Sequence, residues 1–291
     1  MTVQMAAVET VWGVARAVLI GLLLSILLIR MFEERFIFFP DIAGGGVQPE
    51  DFGVRVEDVW LTASDGARLH AWWAPAYATQ AGSGGQASEG AAFTVLLLHG
   101  NAGNLTHRVE NIGFLQQLPA NVLALDYRGF GRSQGRPAEE GVYRDAEAAY
   151  DYLVRERNVR PEQIVALGQS LGTAVAVDLA SKRPVGALVL EAGFPSARRV
   201  AQQAIPLPGV AYIIRTRFDS DRKLKGIRVP VLVAHCRQDS VMPYKLGEEL
   251  FAAANQPKTF VSYPGACHEP FFIADPEDYA TRLRSFLARL R

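Results

Sequence analysis

The stretch Ile164-Val165-Ala166-Leu167-Gly168-Gln169-Ser170-Leu171-Gly172 decides the fold. Its first four residues form a short apolar run, which reads as a buried strand, and Leu171–Ser181 is helix-length. Between the two lies G-x-S-x-G. A serine at a sharp strand-to-helix turn takes a strained backbone, and bulky side chains two residues to either side would clash. Gly168 and Gly172 remove those clashes, and Gln169 completes the elbow. The helix after Ser170 directs its N-terminal dipole and free N–H groups at any charge developing there. Alone the motif is weak; in this context it makes Ser170 a candidate nucleophile.

Outward from this turn the pattern is regular. Short apolar runs recur at Thr94–Leu98, Val122–Leu125, Val185–Leu190 and Val229–Ala234, with a last strand candidate at Thr259–Tyr263. Helix-length segments separate them: Leu105–Leu118, Glu139–Arg157, Tyr244–Ala254 and Pro276–Arg289. Fully apolar strands alternating with helices predict a mostly parallel sheet covered on both faces, an α/β fold. Two leading strands, Val54–Leu61 and Arg68–Ala74, meet at Ser64-Asp65-Gly66 and predict an antiparallel start. The Gly/Ser/Ala-rich stretch Gln80–Ala92 reads as a surface loop.

Composition bounds the function. The 291 residues are 49% hydrophobic and 21% charged, enough for one large core and too apolar for disorder. Thirty basic residues balance thirty acidic ones, which argues against non-specific nucleic-acid binding. Two cysteines exclude a disulfide-dense scaffold and a four-cysteine metal site. Neither G-x-x-x-x-G-K-[ST] nor H-E-x-x-H occurs, so no cofactor and no metal is expected. Gly129, Gly131 and Gly135 fail the dinucleotide spacing and read as a structural turn.

The N-terminus is a separate physical object. Val11–Ile29 carries one charge, Arg16, and would span about 28 Å as a helix. An uncleaved membrane anchor over residues 1–35 is the expectation, with residues 36–291 as the catalytic domain. A cleaved signal peptide fits the 13-residue run Ala17–Ile29, but no small-residue cleavage site follows it. A helix buried on the core or in a homodimer interface is the third reading. Arg16 precedes the apolar run and Arg30 and Arg35 follow it, so the side of the membrane stays undetermined. The aromatic stretch Phe36–Pro40 suits either the interface or docking on the body, and Gly44–Gly46 reads as a flexible joint.

A serine nucleophile needs a base and an orienting acid. In the chain order of nucleophile, acid and base, the base comes after the last strand, where His268 stands. Asp239 follows the strand Val229–His235 and is the leading acid; Glu191, one strand earlier, is its rival. Asp219 and Asp221 suit helix or turn caps. An oxyanion hole needs two N–H donors, assigned to the backbones of Leu171 and Asn101. His99 reads as a structural hydrogen-bonding residue.

These residues resemble the serine hydrolases of the α/β-hydrolase superfamily, and within it the membrane-anchored Bem46-like branch. The resemblance rests on Arg35–Pro40, Leu96–Asn104, Asp126–Gly135 (DYRGFGRSQG), Gly168–Gly172 and the Asp239 and His268 loops. It implies an eight-stranded sheet and a mechanism through an acyl-enzyme. It also implies a relation to mammalian lipid hydrolases and protein depalmitoylases; for the anchored chain a bacterial inner-membrane location is the expectation. The segment 191–228 would form a short helical cap, and its apolar Ile205–Val210 and Tyr212–Ile214 suit an acyl chain. Monoacylglycerols, lysophospholipids, phospholipids and S-acyl thioesters are the expected substrates. An aminopeptidase and a non-catalytic binding protein on the same fold are the alternatives. Cys236 and Cys267 flank Asp239 and His268, so a disulfide would staple the two loops; two separate buried thiols are the plainer reading, because sequence fixes neither distance nor compartment.

Overall fold

The structure is a computed structural model that describes residues 2–41, 47–77, 91–118, 120–205, 209–268 and 271–290. The Gly44–Gly46 joint, nearly all of the Gln80–Ala92 loop and Pro206–Pro208 of the cap therefore lie outside the described residues.

Helix α1 (Thr2–Ile37) leads into the two-residue strand β1 (Phe39–Pro40). The body then runs β2 (Glu57–Thr62), β3 (Arg68–Ala74), β4 (Phe93–Leu98), β5 (Ala102–Gly103), α2 (Val109–Gln116), β6 (Ala120–Leu125), α3 (Glu139–Arg155), β7 (Ile164–Gln169), α4 (Leu171–Lys182) and β8 (Ala187–Glu191). It ends with α5 (Ala197–Ala204), α6 (Ser220–Leu224), β9 (Val231–Cys236), α7 (Tyr244–Ala253), β10 (Lys258–Tyr263) and α8 (Pro276–Leu287).

Eight strands form one sheet in the order β10-β9-β8-β7-β4-β6-β3-β2. Only β3 runs against the rest, pairing antiparallel with β2 and β6. The expected antiparallel start and parallel remainder are both present. Every residue of β4, β7, β8 and β9 is buried, as strands covered on both faces require. Edge strand β2 instead alternates exposed and buried positions. One core packs α3, α4 and α7 on one face of the sheet, and a second packs α2 and α8 on the other.

The helix expected over Leu105–Leu118 begins later. The Asn104 side chain accepts from the Thr106 N–H and caps a single 3-10 turn, Leu105–His107, before α2 begins at Val109. The Gly129–Gly135 segment is a structural turn as expected, with positive φ at Gly129, Gly131 and Gly135. Arg128 beside it binds both Asp145 and Asp65.

Helix α1 holds a span of 26 residues, Trp12–Ile37, long and apolar enough to cross a membrane. Its last turns are bound to the body. The Glu33 carboxylate is 3% exposed and accepts from the Arg215 N–H, the Thr216 N–H and the Thr216 hydroxyl. Arg30 donates to the Ile213 carbonyl at 3.0 Å. Among the aromatics that follow, Phe38 is buried against Phe218, while Phe36 and Phe39 are exposed. Glu33→Ala leaves buried N–H donors without an acceptor, at a cost of about 2–3 kcal/mol. Tryptic cleavage at Arg215 and Arg217 in the full-length chain is expected to speed up by at least about 10-fold, and Glu33→Gln to recover part of the protection. Cleavage at the wild-type rate would show that the latch carries no energy.

Candidate active site

Strand β4 pairs with β6 on one side and β7 on the other, so the loops leaving β4 and β7 diverge over a crevice. Ser170, Leu171, Asn101 and His268 line one cavity there. Ser170 turns the chain from β7 into α4 with φ 50 and ψ −113, a left-handed conformation that costs a non-glycine residue energy. The surroundings hold it. The Ser170 N–H donates to the Glu191 carbonyl at 2.8 Å, and the Ser170 carbonyl accepts from the Thr173 N–H and hydroxyl.

Asp239 leaves the turn after β9 with its side chain buried. One carboxylate oxygen accepts from the Val241 and Met242 N–H groups, at 2.9 and 2.8 Å. The other accepts from His268 Nδ1 at 2.8 Å. An ionised carboxylate only accepts, so the neutral ring carries its proton on Nδ1 and leaves the Nε2 lone pair free. His268 and Ser170 line the same cavity, of about 650 Å³. The Glu191 side chain has other partners. Its carboxylate accepts from Gln169 Nε2 at 2.7 Å and from the Tyr279 hydroxyl, which ties the elbow to α8.

Asn101 and Leu171 line the cavity beside Ser170. Leu171 opens α4, so its N–H has no acceptor within the helix. His99 Nδ1 donates to the Gly100 carbonyl at 2.6 Å. In a planar trans peptide the Asn101 N–H points the opposite way, so the buried ring sets that donor's direction. The Asn101 side chain has a second task that the sequence does not reveal. Its Nδ2 donates to the Ile37 carbonyl, and its Oδ1 accepts from the Phe39 N–H at 3.3 Å.

The rest of the lining is apolar, including Phe36, Phe194, Val200, Ile214, Phe218 and Met242. A second groove of about 730 Å³, between α2 and α8, holds none of Ser170, Asp239 and His268. Among the described residues no three His, Cys, Asp or Glu side chains cluster to hold a metal ion. Cys236 and Cys267 form a disulfide with Cα atoms 5.6 Å apart, so the pairing replaces the reading of two separate thiols. It joins the end of β9 to the residue before His268.

Two histidines here resist protonation. Burial lowers His99 from an ordinary 6.5 to about 4, against the opposing pull of Asp126. Burial also lowers His235, which donates to the Met242 carbonyl at 2.7 Å. The unfolded chain therefore takes up protons near pH 6.5 while the folded chain refuses them. Stability falls as pH drops through 6.5, and the His99 contribution continues to fall to about pH 4. Each histidine contributes up to about 1.4 kcal/mol per pH unit. The folded-state carboxylate of Asp58, held near 2 by His70 and Arg132 despite its partial burial, acts only at lower pH. The urea midpoint is expected to decline between pH 6.5 and 5; a constant midpoint over that range would contradict the burial argument.

A family profile described as the alpha/beta hydrolase fold matches residues 94–209. An uncharacterised protein of Mycobacterium tuberculosis is 36% identical over 255 residues, covering 88% of this chain and 87% of that protein. The alpha/beta hydrolase domain-containing protein WAV2 of Arabidopsis thaliana is 31% identical over 288 residues, covering 91% and 90%. Among solved structures, an esterase of Pyrococcus furiosus superposes with a TM-score of 0.67 at 21% identity, over 86% of this chain and 98% of that one. Similarity to these relatives extends over most of the chain, well past the serine turn on both sides, and the chain belongs to the α/β-hydrolase family.

Proposed function

We propose that the chain is a membrane-anchored serine hydrolase that cleaves ester or thioester bonds of lipid-like acyl substrates. The observation that carries this reading is the hydrogen-bonded Asp239–His268 pair sharing an apolar cavity with Ser170. Ser170 attacks the acyl carbonyl as His268 Nε2 takes its proton, and Asp239 stabilises the imidazolium. The Asn101 and Leu171 N–H groups hold the tetrahedral oxyanion. His268 then returns the proton to the leaving group, and water activated by the same ring hydrolyses the acyl-enzyme. The motif resemblance and the similarity to WAV2 over most of both chains are compatible with the Bem46-like branch.

Residues 1–35 serve as the anchor in this reading, residues 36–291 as the catalytic domain, and 191–228 as its cap. The disulfide favours an oxidising compartment and so a catalytic domain outside the cytoplasm. The aminopeptidase alternative needs an acidic group for the substrate amine. The described residues lining the cavity include no carboxylate, which favours an acyl substrate.

The test is a series of p-nitrophenyl esters from acetyl to palmitoyl, hydrolysed by the full-length chain in detergent. Rates rising toward longer chains support the reading. Hydrolysis of the acetyl ester alone would remove the lipid substrate and keep the mechanism.

A further inference from the structure

Helix α1 does not end where an anchor would need to. Its long apolar run finishes at Ile29, yet the helix continues to Ile37. Met31 and Phe32 extend the exposed apolar surface, and Phe36 follows Phe32 by four residues, about 6 Å further along the same face. Phe36, Ile37 and Phe39 all line the cavity that holds Ser170 and His268. Phe36 is 69% exposed and Phe39 59%, so each ring faces the cavity and the outside together. Val241 and Ile205, also exposed, complete an apolar rim.

Several contacts fasten the end of the helix to the body. Glu33 fixes the helix to the Arg215–Thr216 backbone. Strand β1 pairs in parallel with β5, joining Phe39 to Ala102 and Pro40 to Gly103. The Asn101 side chain bonds to the backbone on both sides of Phe38. The loop that carries an oxyanion donor is thus fastened to the end of the helix. A bilayer headgroup layer is roughly 5–8 Å thick on each side. A helix crossing the hydrocarbon up to Ile29 would set Phe32 within that layer and the Phe36 backbone about 10 Å beyond the hydrocarbon, with its side chain tilted back toward the layer.

We propose that the last turn of α1 is the membrane-proximal wall of the substrate site, and that a lipid acyl chain reaches Ser170 sideways from the bilayer along Phe36, Ile37 and Phe39. The inference rests on the hydrolase reading above and adds the route and the specificity-determining residues. An exposed apolar rim continuous with a membrane helix fits the bilayer interface as its occupant.

The experiment uses the full-length chain in phosphatidylcholine vesicles. It compares kcat/KM for 1-oleoylglycerol carried in the vesicles with that for p-nitrophenyl butyrate in water. Phe36→Asp is expected to lower the ratio of the two by about tenfold or more, through KM for the lipid, and Phe36→Leu to restore it within about threefold. Phe39→Asp, on the neighbouring exposed ring, is expected to act in the same direction. Labelling of Ser170 by a fluorophosphonate on the same samples verifies a folded site in each variant. An unchanged ratio in both Asp variants, with labelling intact, overturns this inference alone. Failure of the wild-type chain to hydrolyse either ester overturns the hydrolase reading and this inference with it.

Discussion

Replacing Ser170 with alanine is expected to lower kcat for ester hydrolysis by about 10,000-fold or more, leaving only substrate binding and the oxyanion donors to act. In the proposed mechanism no acyl-enzyme forms without the hydroxyl, and water must attack the carbonyl directly. Asp239→Asn is expected to cost about 1,000- to 10,000-fold. Its amide can present an N–H where the carboxylate now accepts from His268 Nδ1, which favours the wrong tautomer and removes the charge facing the imidazolium. The double variant Ser170→Ala/His268→Ala is expected to be no slower than Ser170→Ala, because the base has no purpose without the nucleophile. Initial rates on the preferred p-nitrophenyl ester measure all three. Residual activity above about 1% in Ser170→Ala, with labelling by a fluorophosphonate elsewhere, would move the nucleophile to another residue.

The parts of this site that the sequence reveals are those written in consecutive residues. The turn at Ser170 is legible because strand, glycines and helix lie within one short stretch. Asp239 and His268 follow from strand order, since each stands on a loop leaving an identifiable strand. The burial of β4, β7, β8 and β9 likewise follows from their unbroken apolar runs. Long-range pairings are another matter. Strand β1 is two residues long and meets β5 some sixty residues later, so no periodicity marks it. Nothing local shows that Asn101 would hold the end of α1 as well as face the cavity. Glu33 reads as one more charge beyond an apolar helix, and only the fold puts Thr216 beside it. Glu191 illustrates the converse. It stands where an orienting acid could stand, and the Gln169 and Tyr279 side chains claim its oxygens.

Gly172→Ala is expected to unfold the chain or nearly so, although it adds one methyl group. A Cβ at position 172 would overlap the backbone carbonyl oxygens of Leu98 and His99. Those oxygens belong to the end of β4 and to the loop carrying Asn101, so no flexible side chain can yield in their place. The first turn of α4 packs directly on the C-terminal end of β4, and glycine is what permits the approach. Gly168 faces the same constraint from the other side, where its Cβ would meet the Gly172 carbonyl and the Thr173 Cα. Ordinary overpacking costs about 1–3 kcal/mol; displacing a helix from a central strand should exceed that and consume much of a stability of about 5–15 kcal/mol. Gly226→Ala is the matched control, because its Cβ would meet only the Lys223 carbonyl, at 3.5 Å. Thermal unfolding in detergent is expected to place Gly226→Ala within a few degrees of wild type. Gly172→Ala should lie at least about 10 °C lower or yield no folded protein. Any folded fraction should also lose activity, since moving α4 off β4 separates Ser170 and the Leu171 N–H from the Asn101 loop. A Gly172→Ala chain with wild-type melting and wild-type rates would contradict the close contact between the first turn of α4 and the end of β4.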